Sequence, residues 1–389
     1  ELRSTERIYN FFGYLLANEE NREELFEKWS EIEKITHRTA REEKEKEFGE
    51  RLKHLPRTKF VVDVLTGTSA GGINAIFLAK ALANNQNIEQ LKGLWLDEGD
   101  ISRVINDKRS VADDDLSAPD KAKSLLNSNR MYLKLREAFE GMGGDTETAE
   151  TPPLVEELDL FVPTTDFRGT IVPLRLLVAV VEQKGFRQVF HFRYDQSETD
   201  ETGAVKNDFR KRHNPMLALA ARATSSFPFA FEPMRITQAV SVIQEAFADW
   251  REKTANLIKD SRVFFPNILQ KNGESVAWEK RDLVDGGVLD NKPFGYAIEV
   301  LSKRRADFQV ERKLLYIEPS PEFFSGGKAK EQLPPDVLEN AAASLSSIPS
   351  YETIREDLER LLERNRLIER VNLIIRDAEQ DVFQQLLSS

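Results

Sequence analysis

The run Val61-Val62-Asp63-Val64-Leu65-Thr66-Gly67-Thr68-Ser69-Ala70-Gly71-Gly72-Ile73-Asn74-Ala75 constrains this chain more than any other stretch. Val61 to Leu65 is a short β-branched apolar run, the pattern of a buried strand. Ile73 to Ala83 is rich in Ala, Leu and Ile, so a packed helix follows at once. Between them, Gly67-Thr68-Ser69-Ala70-Gly71 fits G-x-S-x-G, a serine on a sharp strand-to-helix turn. A serine on so tight a turn sits in strained backbone, and bulky neighbours would clash with strand and helix. The first helical turn then lies under the hydroxyl, where free N–H groups and the dipole favour negative charge. A glycine-rich βα turn in any doubly wound domain would carry similar letters. The strand before and the helix after favour a nucleophilic serine.

Composition narrows the class. The chain has 389 residues, 40% hydrophobic and 31% charged, which suits one large or two ordinary domains with a sizeable core. A net charge of −11 argues against a general nucleic-acid binder and against passive adsorption to an anionic membrane. Basic clusters at Arg210-Lys211-Arg212 and Lys303-Arg304-Arg305 read as solvated surface. There is no cysteine, so disulfides, thiol nucleophiles and zinc–thiolate sites are excluded. Asp113-Asp114-Asp115 lacks EF-hand spacing and reads as loop; no metal and no cofactor is expected. No run approaches membrane-span length, and no signal peptide is visible. A cytoplasmic protein, peripheral to membranes where it meets them, is the expectation.

Residues 1 to about 55 read as helical. Ile8, Phe11, Phe12, Leu15 and Leu16 form one apolar face, which Leu25, Trp29, Ile32 and Ile35 continue. A charged helical excursion is expected over about 36–57, with mobile loops over about 106–130, 141–153 and 195–212. Helices are expected over Asn87–Trp95, Met131–Phe139, Pro215–Ala223 and residues 237–260. Strands are expected at Leu158–Thr165, Leu174–Glu182, Arg187–Phe192 and Lys313–Ile317, with a turn at Asp166–Gly169. A domain over 1–328 and a C-terminal helical segment over 329–389 complete the layout. In that segment Ile354, Leu358, Leu361, Ile368, Val371, Ile375, Ala378 and Val382 step by three and four, with one break. A self-association seam and a helix packed on the parent domain both fit; the short run favours packing.

A serine hydroxyl needs a base. The chain's four histidines are His37, His54, His191 and His213, and none follows residue 213. The order Ser, acid, His therefore fails if Asp285 is the acid. The alternative is a carboxylate acting directly. Asp285 before Gly286 and Gly287 is the candidate, because two glycines permit close backbone approach beside a pocket. A plain Asp-Gly turn is the competing reading.

Gly67-Thr68-Ser69-Ala70-Gly71-Gly72 together with Asp285-Gly286-Gly287 resembles the patatin-like phospholipase family. So do Ala221-Arg222-Ala223-Thr224-Ser225-Ser226-Phe227-Pro228, between serine and aspartate, and Thr164-Thr165-Asp166. The likeness covers about residues 60 to 320 and is nearest the larger bacterial members. It implies an α/β fold: a three-layer α/β/α sandwich with a mainly parallel central sheet and extra helices. It also implies metal-free hydrolysis of lipid esters, at a membrane surface or free, by a dyad of Ser69 and Asp285. Ala70 N–H would then supply one oxyanion donor. The family carries a glycine-rich oxyanion loop upstream of the serine. Here only Gly13, Gly49 and Gly67 precede Ser69, and they form no such run. The expectation is that the missing strand and loop lie outside this stretch of chain. Phe227, Phe229 and Phe231 are candidates for an acyl channel or for plain core. Arg222 is a candidate for a lipid phosphate, with a structural ion pair as the stronger alternative. Two rival functions remain: a catalytically weak lipid-binding or assembly module, and a Ser-His-Asp esterase using His191 or His213.

Overall fold

The computed structural model describes residues 6, 8–11, 22–35, 40–41, 43–44, 47–48, 58–112, 116–117, 122–143, 154–175, 179–264, 281–304, 306, 310–318 and 354–388. The chain divides into two compact units, Glu1–Val62 and Asp63–Ser389. In the first, helix α1 (Arg22–Glu33) carries Trp29, which stacks on Phe11 at 4.6 Å and meets Phe48 at 5.9 Å. Phe11, Ile32 and Phe48 are buried. Phe48 lies in the span expected to be a solvated excursion, yet it is buried. Phe12, Leu15, Leu16, His37 and His54 lie outside the described residues.

The second unit runs β1 (Val64–Thr66), α2 (Ala70–Asn84), α3 (Glu89–Asp97), α4 (Ser128–Glu140), β2 (Glu157–Arg175), β3 (Val180–Thr199) and β4 (Val205–Asn207). It continues with α5 (Asn214–Thr224), α6 (Ile236–Ala246), α7 (Trp250–Phe264), β5 (Leu283–Asp285), α8 (Phe294–Lys303) and α9 (Arg355–Ser388). The α/β class expected from the sequence holds. Helices cover both faces of one sheet. On one face Leu160, Val162, Phe190 and Phe192 are fully buried. Phe192 meets Phe209, whose carbonyl accepts a hydrogen bond from Lys80 of α2. On the other face Phe161 stacks on Tyr296 of α8 at 5.3 Å.

Among the described residues the sheet is mixed. β1 pairs with β2 in parallel, while β2–β3, β3–β4 and β2–β5 are antiparallel. The mainly parallel expectation therefore narrows to the β1–β2 crossover here. For the β2–β3 pair the reason is chain length: only four residues join the two strands, and a parallel return needs a dozen or more. The topology has a consequence for the site. β1 and β5 pair with successive stretches of one β2 edge, Asp159–Phe161 and Thr164–Asp166. One runs parallel and the other antiparallel, so their C-terminal ends converge on Pro163.

Several elements differ from the sequence expectation. The leading strand is Val64–Thr66, and Val61 is exposed. Asp166–Gly169 is a bulge within β2, not a turn between strands. Asp166 Oδ1 accepts from the N–H groups of Arg168 and Gly169, and Gly169 supplies the positive φ of 68°. The run Leu174–Glu182 is divided between β2 and β3. Residues 195–212 carry the end of β3, β4 and a helical turn rather than a mobile loop. Asp200 orders them, accepting from Thr202 and Ala204 N–H and pairing with Arg212 at 2.8 Å. Within 106–130, Asp107 caps the turn Lys108–Val111 and Asn127 caps α4. Asp113–Asp115 and most of 141–153 lie outside the described residues. The expected long helix over 237–260 is two, because Phe247 is extended and ends α6. Lys313–Ile317 forms no ladder among the described residues. In α9 the expected seam residues Leu358, Ile368, Val371 and Ile375 are exposed, and Arg364 donates to Ser302 O beside α8.

Candidate active site

Ser69 stands at the end of β1, immediately before α2, with φ 54° and ψ −126°. That strained conformation is what the flanking glycines permit. A Cβ added to Gly67 would lie 2.4 Å from Gly71 O, and one added to Gly72 would lie 2.7 Å from Thr224 Cγ2. Both positions exclude a side chain. Gly71 is different, since a Cβ there meets nothing within 4 Å. The steric requirement expected at Gly71 thus belongs to Gly72.

Asp285 arrives from the opposite direction, at the end of β5. Ser69 Oγ donates to Asp285 Oδ2 at 2.8 Å, and Gly287 N–H donates to Oδ1 at 2.7 Å. A Cβ on Gly286 would stand 2.3 Å from Pro163 O, so this glycine lets the turn press against β2. On Gly287 it would crowd Asn291 Oδ1 at 2.9 Å. Asp285 is only 3% exposed. Burial pushes its carboxyl up from 3.8 to about 6, opposed by the Gly287 and Ser69 hydrogen bonds and by Arg222. At neutral pH the group is mostly ionised, yet basic enough to take a proton.

Thr224, at the end of α5, ties the serine turn to β2. Its Oγ1 donates to Pro163 O at 2.6 Å and accepts from Ser69 N–H at 3.1 Å. Thr68 Oγ1 donates to Asp290 O at 2.8 Å, which ties the elbow to the loop after β5. Ala70 and Gly71, opening α2, are exposed. N–H groups of a first helical turn have no partner four residues back and carry the positive end of the helix dipole.

The remaining expected residues fall elsewhere. Arg222 is fully buried, so the lipid-phosphate reading is corrected. Its guanidinium donates to Ser226 Oγ at 2.9 Å and Ser128 Oγ at 2.8 Å, and lies 4.0 Å from the Phe231 ring centre. Burial lowers it to about 9. It holds α4 against α5 and the segment behind Asp285. Phe229 is exposed, has φ 70°, and lines a cavity of 1480 Å³ together with Phe231. Phe227, at the edge of exposure, is not part of that wall. The cavity wall includes Val284, Val288 and Leu289, on either side of Asp285, though not Ser69 or Asp285 themselves. Neither described histidine hydrogen-bonds Ser69. His191 Nε2 is 2.5 Å from Asp159 Oδ1, and His213 Nδ1 is 2.7 Å from Asp260 Oδ2. Among the described residues no cluster of His, Asp and Glu has metal-holding geometry. Sequence reasoning missed the role of Thr224, for which the sole local signal was its place in the Ala221–Pro228 segment.

Convergent strand ends on an α/β frame thus bring a strained serine within hydrogen-bond distance of a buried aspartate. The profile of the patatin-like phospholipase family matches residues 49–298, and the chain belongs to that family, one of lipid acyl hydrolases. It is 29% identical over 268 residues to "Uncharacterized membrane protein Rv3479" of Mycobacterium tuberculosis (strain ATCC 25618 / H37Rv). That match covers 67% of this chain and 21% of the relative, so the chain spans about a fifth of that protein's length. No solved structure matches significantly. Among the described residues, no helix is long and apolar enough to cross a membrane.

Proposed function

We propose that this protein hydrolyses carboxylic esters of lipids with Ser69 as nucleophile and Asp285 as general base. The 2.8 Å hydrogen bond from Ser69 Oγ to Asp285 Oδ2 carries the reading. Asp285 takes the hydroxyl proton as Oγ bonds to the ester carbonyl carbon. The first-turn N–H groups of α2, Ala70 foremost, stabilise the oxyanion. Collapse breaks the ester C–O bond, and Asp285 returns the proton to the departing alcohol. Water, deprotonated by the same carboxylate, then attacks the acyl-enzyme and releases the fatty acid. The substrate is a lipid ester met free or at a membrane surface, and the apolar positions of α9 are the surface for any self-association.

The test is covalent labelling with a fluorophosphonate, read by intact mass. Wild type should gain one adduct. Ser69→Ala and Asp285→Ala should gain none, while His191→Ala and His213→Ala should label like wild type. Loss of labelling in a histidine variant that stays folded would favour a Ser-His-Asp esterase. A wild type that never labels would favour a lipid-binding module.

A further inference from the structure

The cavity beside Asp285 contains a cationic pair that ester hydrolysis does not use. Asp282 precedes β5 and is buried. Its Oδ2 accepts from Arg168 Nε at 2.8 Å, and its Oδ1 accepts from Arg235 Nε. Both arginines line the cavity. Each is held through Nε, and the described residues form no hydrogen bond to either side chain's terminal nitrogens. One carboxylate thus positions two exposed forks whose outer N–H donors bond no group among the described residues. That is the geometry suited to a doubly coordinated phosphoryl group.

Two further features of the wall point the same way. α6 starts at Arg235 with no side-chain cap, and Thr237 and Gln238 of its first turn line the cavity. Its N-terminal N–H groups and dipole add positive potential there. Thr165, also in the wall, is 5% exposed, and its buried Oγ1 has no hydrogen-bond partner. A buried hydroxyl without a partner is costly unless a ligand or water satisfies it. With Asp166 paired to Arg281 at 3.3 Å, the wall holds Arg168, Arg235 and Lys123 against Asp282 and Glu232, which leaves it positive. The cavity also reaches the catalytic turn. Asp282 lies three residues before Asp285, roughly 10 Å along an extended strand, and Val288 and Leu289 follow it into the wall.

We propose that this cavity is a phosphoryl-headgroup subsite, in which Arg168 and Arg235, positioned by Asp282, grip the anionic phosphate of a lipid whose ester carbonyl lies at Ser69. The assignment rests on the acyl hydrolase reading above. It makes anionic glycerophospholipids the preferred substrates over neutral glycerides.

The experiment compares two soluble substrates with the same acyl chains, dihexanoyl phosphatidylglycerol and dihexanoylglycerol. The readout is the ratio of their kcat/KM values. The variant is Arg168→Gln/Arg235→Gln/Asp282→Asn, which removes both cations together with the carboxylate and so leaves no unpaired buried charge. Circular dichroism and fluorophosphonate labelling check that it folds with a competent serine. The wild-type ratio should favour the phospholipid, and the variant should lose about tenfold of that preference per arginine, carried mainly by KM. Glu232→Gln should move the ratio the other way. An active wild type whose ratio the triple variant leaves unchanged would overturn the subsite. Calorimetry with glycerol 3-phosphate and with inorganic phosphate separates the sources without turnover. Arginine-dependent binding of glycerol 3-phosphate that exceeds inorganic phosphate supports a headgroup site. Arginine-dependent binding of inorganic phosphate alone, with no effect on the ratio, identifies a free-anion site and refutes the lipid assignment. A wild type inactive on both esters that still binds glycerol 3-phosphate through the arginines would sink the hydrolase reading and leave the phosphoryl site standing.

Discussion

Replacing Asp285 by Asn separates the electrostatics of this site from its turnover. Asp285 is 3% exposed, and its carboxyl is raised from 3.8 to about 6 chiefly by burial. Below about pH 4 the group is protonated in both folded and unfolded chains and contributes no difference. Between about pH 4 and 6 the folded chain keeps a proton that the unfolded chain has released. The folded state is then the one binding more protons, so stability falls as pH rises. Above about pH 6 the loss is complete and amounts to about 3 kcal/mol. Asparagine has the same shape, no charge, and an Oδ1 that can still accept from Gly287 N–H. Its bond to Ser69 Oγ changes polarity, a difference of about 1 kcal/mol. Asp285→Asn should therefore be more stable than wild type by about 2–3 kcal/mol at pH 8, with the gap closing toward pH 4, while labelling at Ser69 is lost. Urea unfolding between pH 4 and 8, with equal m-values, measures the gap. A gap that stays constant with pH, or shrinks as pH rises, would refute the assignment of a desolvated, ionised carboxylate to Asp285.

Three further outcomes are expected. If Asp285 is the base, kcat/KM for a soluble ester should rise with pH through about 6 and level above it, as a pH–rate profile will show. Gly67→Ala should destabilise by about 2–4 kcal/mol, because its Cβ would press on the Gly71 backbone, whereas Gly71→Ala should be neutral or stabilising by up to about 1 kcal/mol; thermal unfolding distinguishes them. Thr224→Val should cost about 1–3 kcal/mol and slow fluorophosphonate labelling, since Ser69 N–H and Pro163 O both lose their shared partner.

Short-range features were legible from residues alone. The strand–glycine–serine–helix stretch announces the elbow because its constraint is local: backbone at a tight turn tolerates few residue types. The Asp285-Gly286-Gly287 turn is local in the same way. Chain order also argued against a histidine partner, and the two described histidines are each engaged with another carboxylate. Other features were illegible for an equally physical reason. Nothing near Gly72 in sequence reveals that Thr224 crowds it. Arg222 carries the same letter whether it faces a phosphate or fills a core, and only burial distinguishes the two. The bulge at Asp166–Gly169 resembles a turn because both need an aspartate acceptor and a left-handed glycine.

The amino-acid sequence by itself determined the α/β class, the elbow at Ser69, the glycines that permit it, and the family to which the chain belongs. Each follows from contacts spanning a few residues or from motif order. Tertiary structure decided which partner Ser69 meets. β1 and β5 lie more than two hundred residues apart in the chain, and they converge because both pair with the same β2 edge, one parallel and one antiparallel. It also decided that Arg168 and Arg235 share Asp282 beside that meeting point. Strand register and the burial of charge are set by pairing across the whole sheet, which no local stretch of residues specifies.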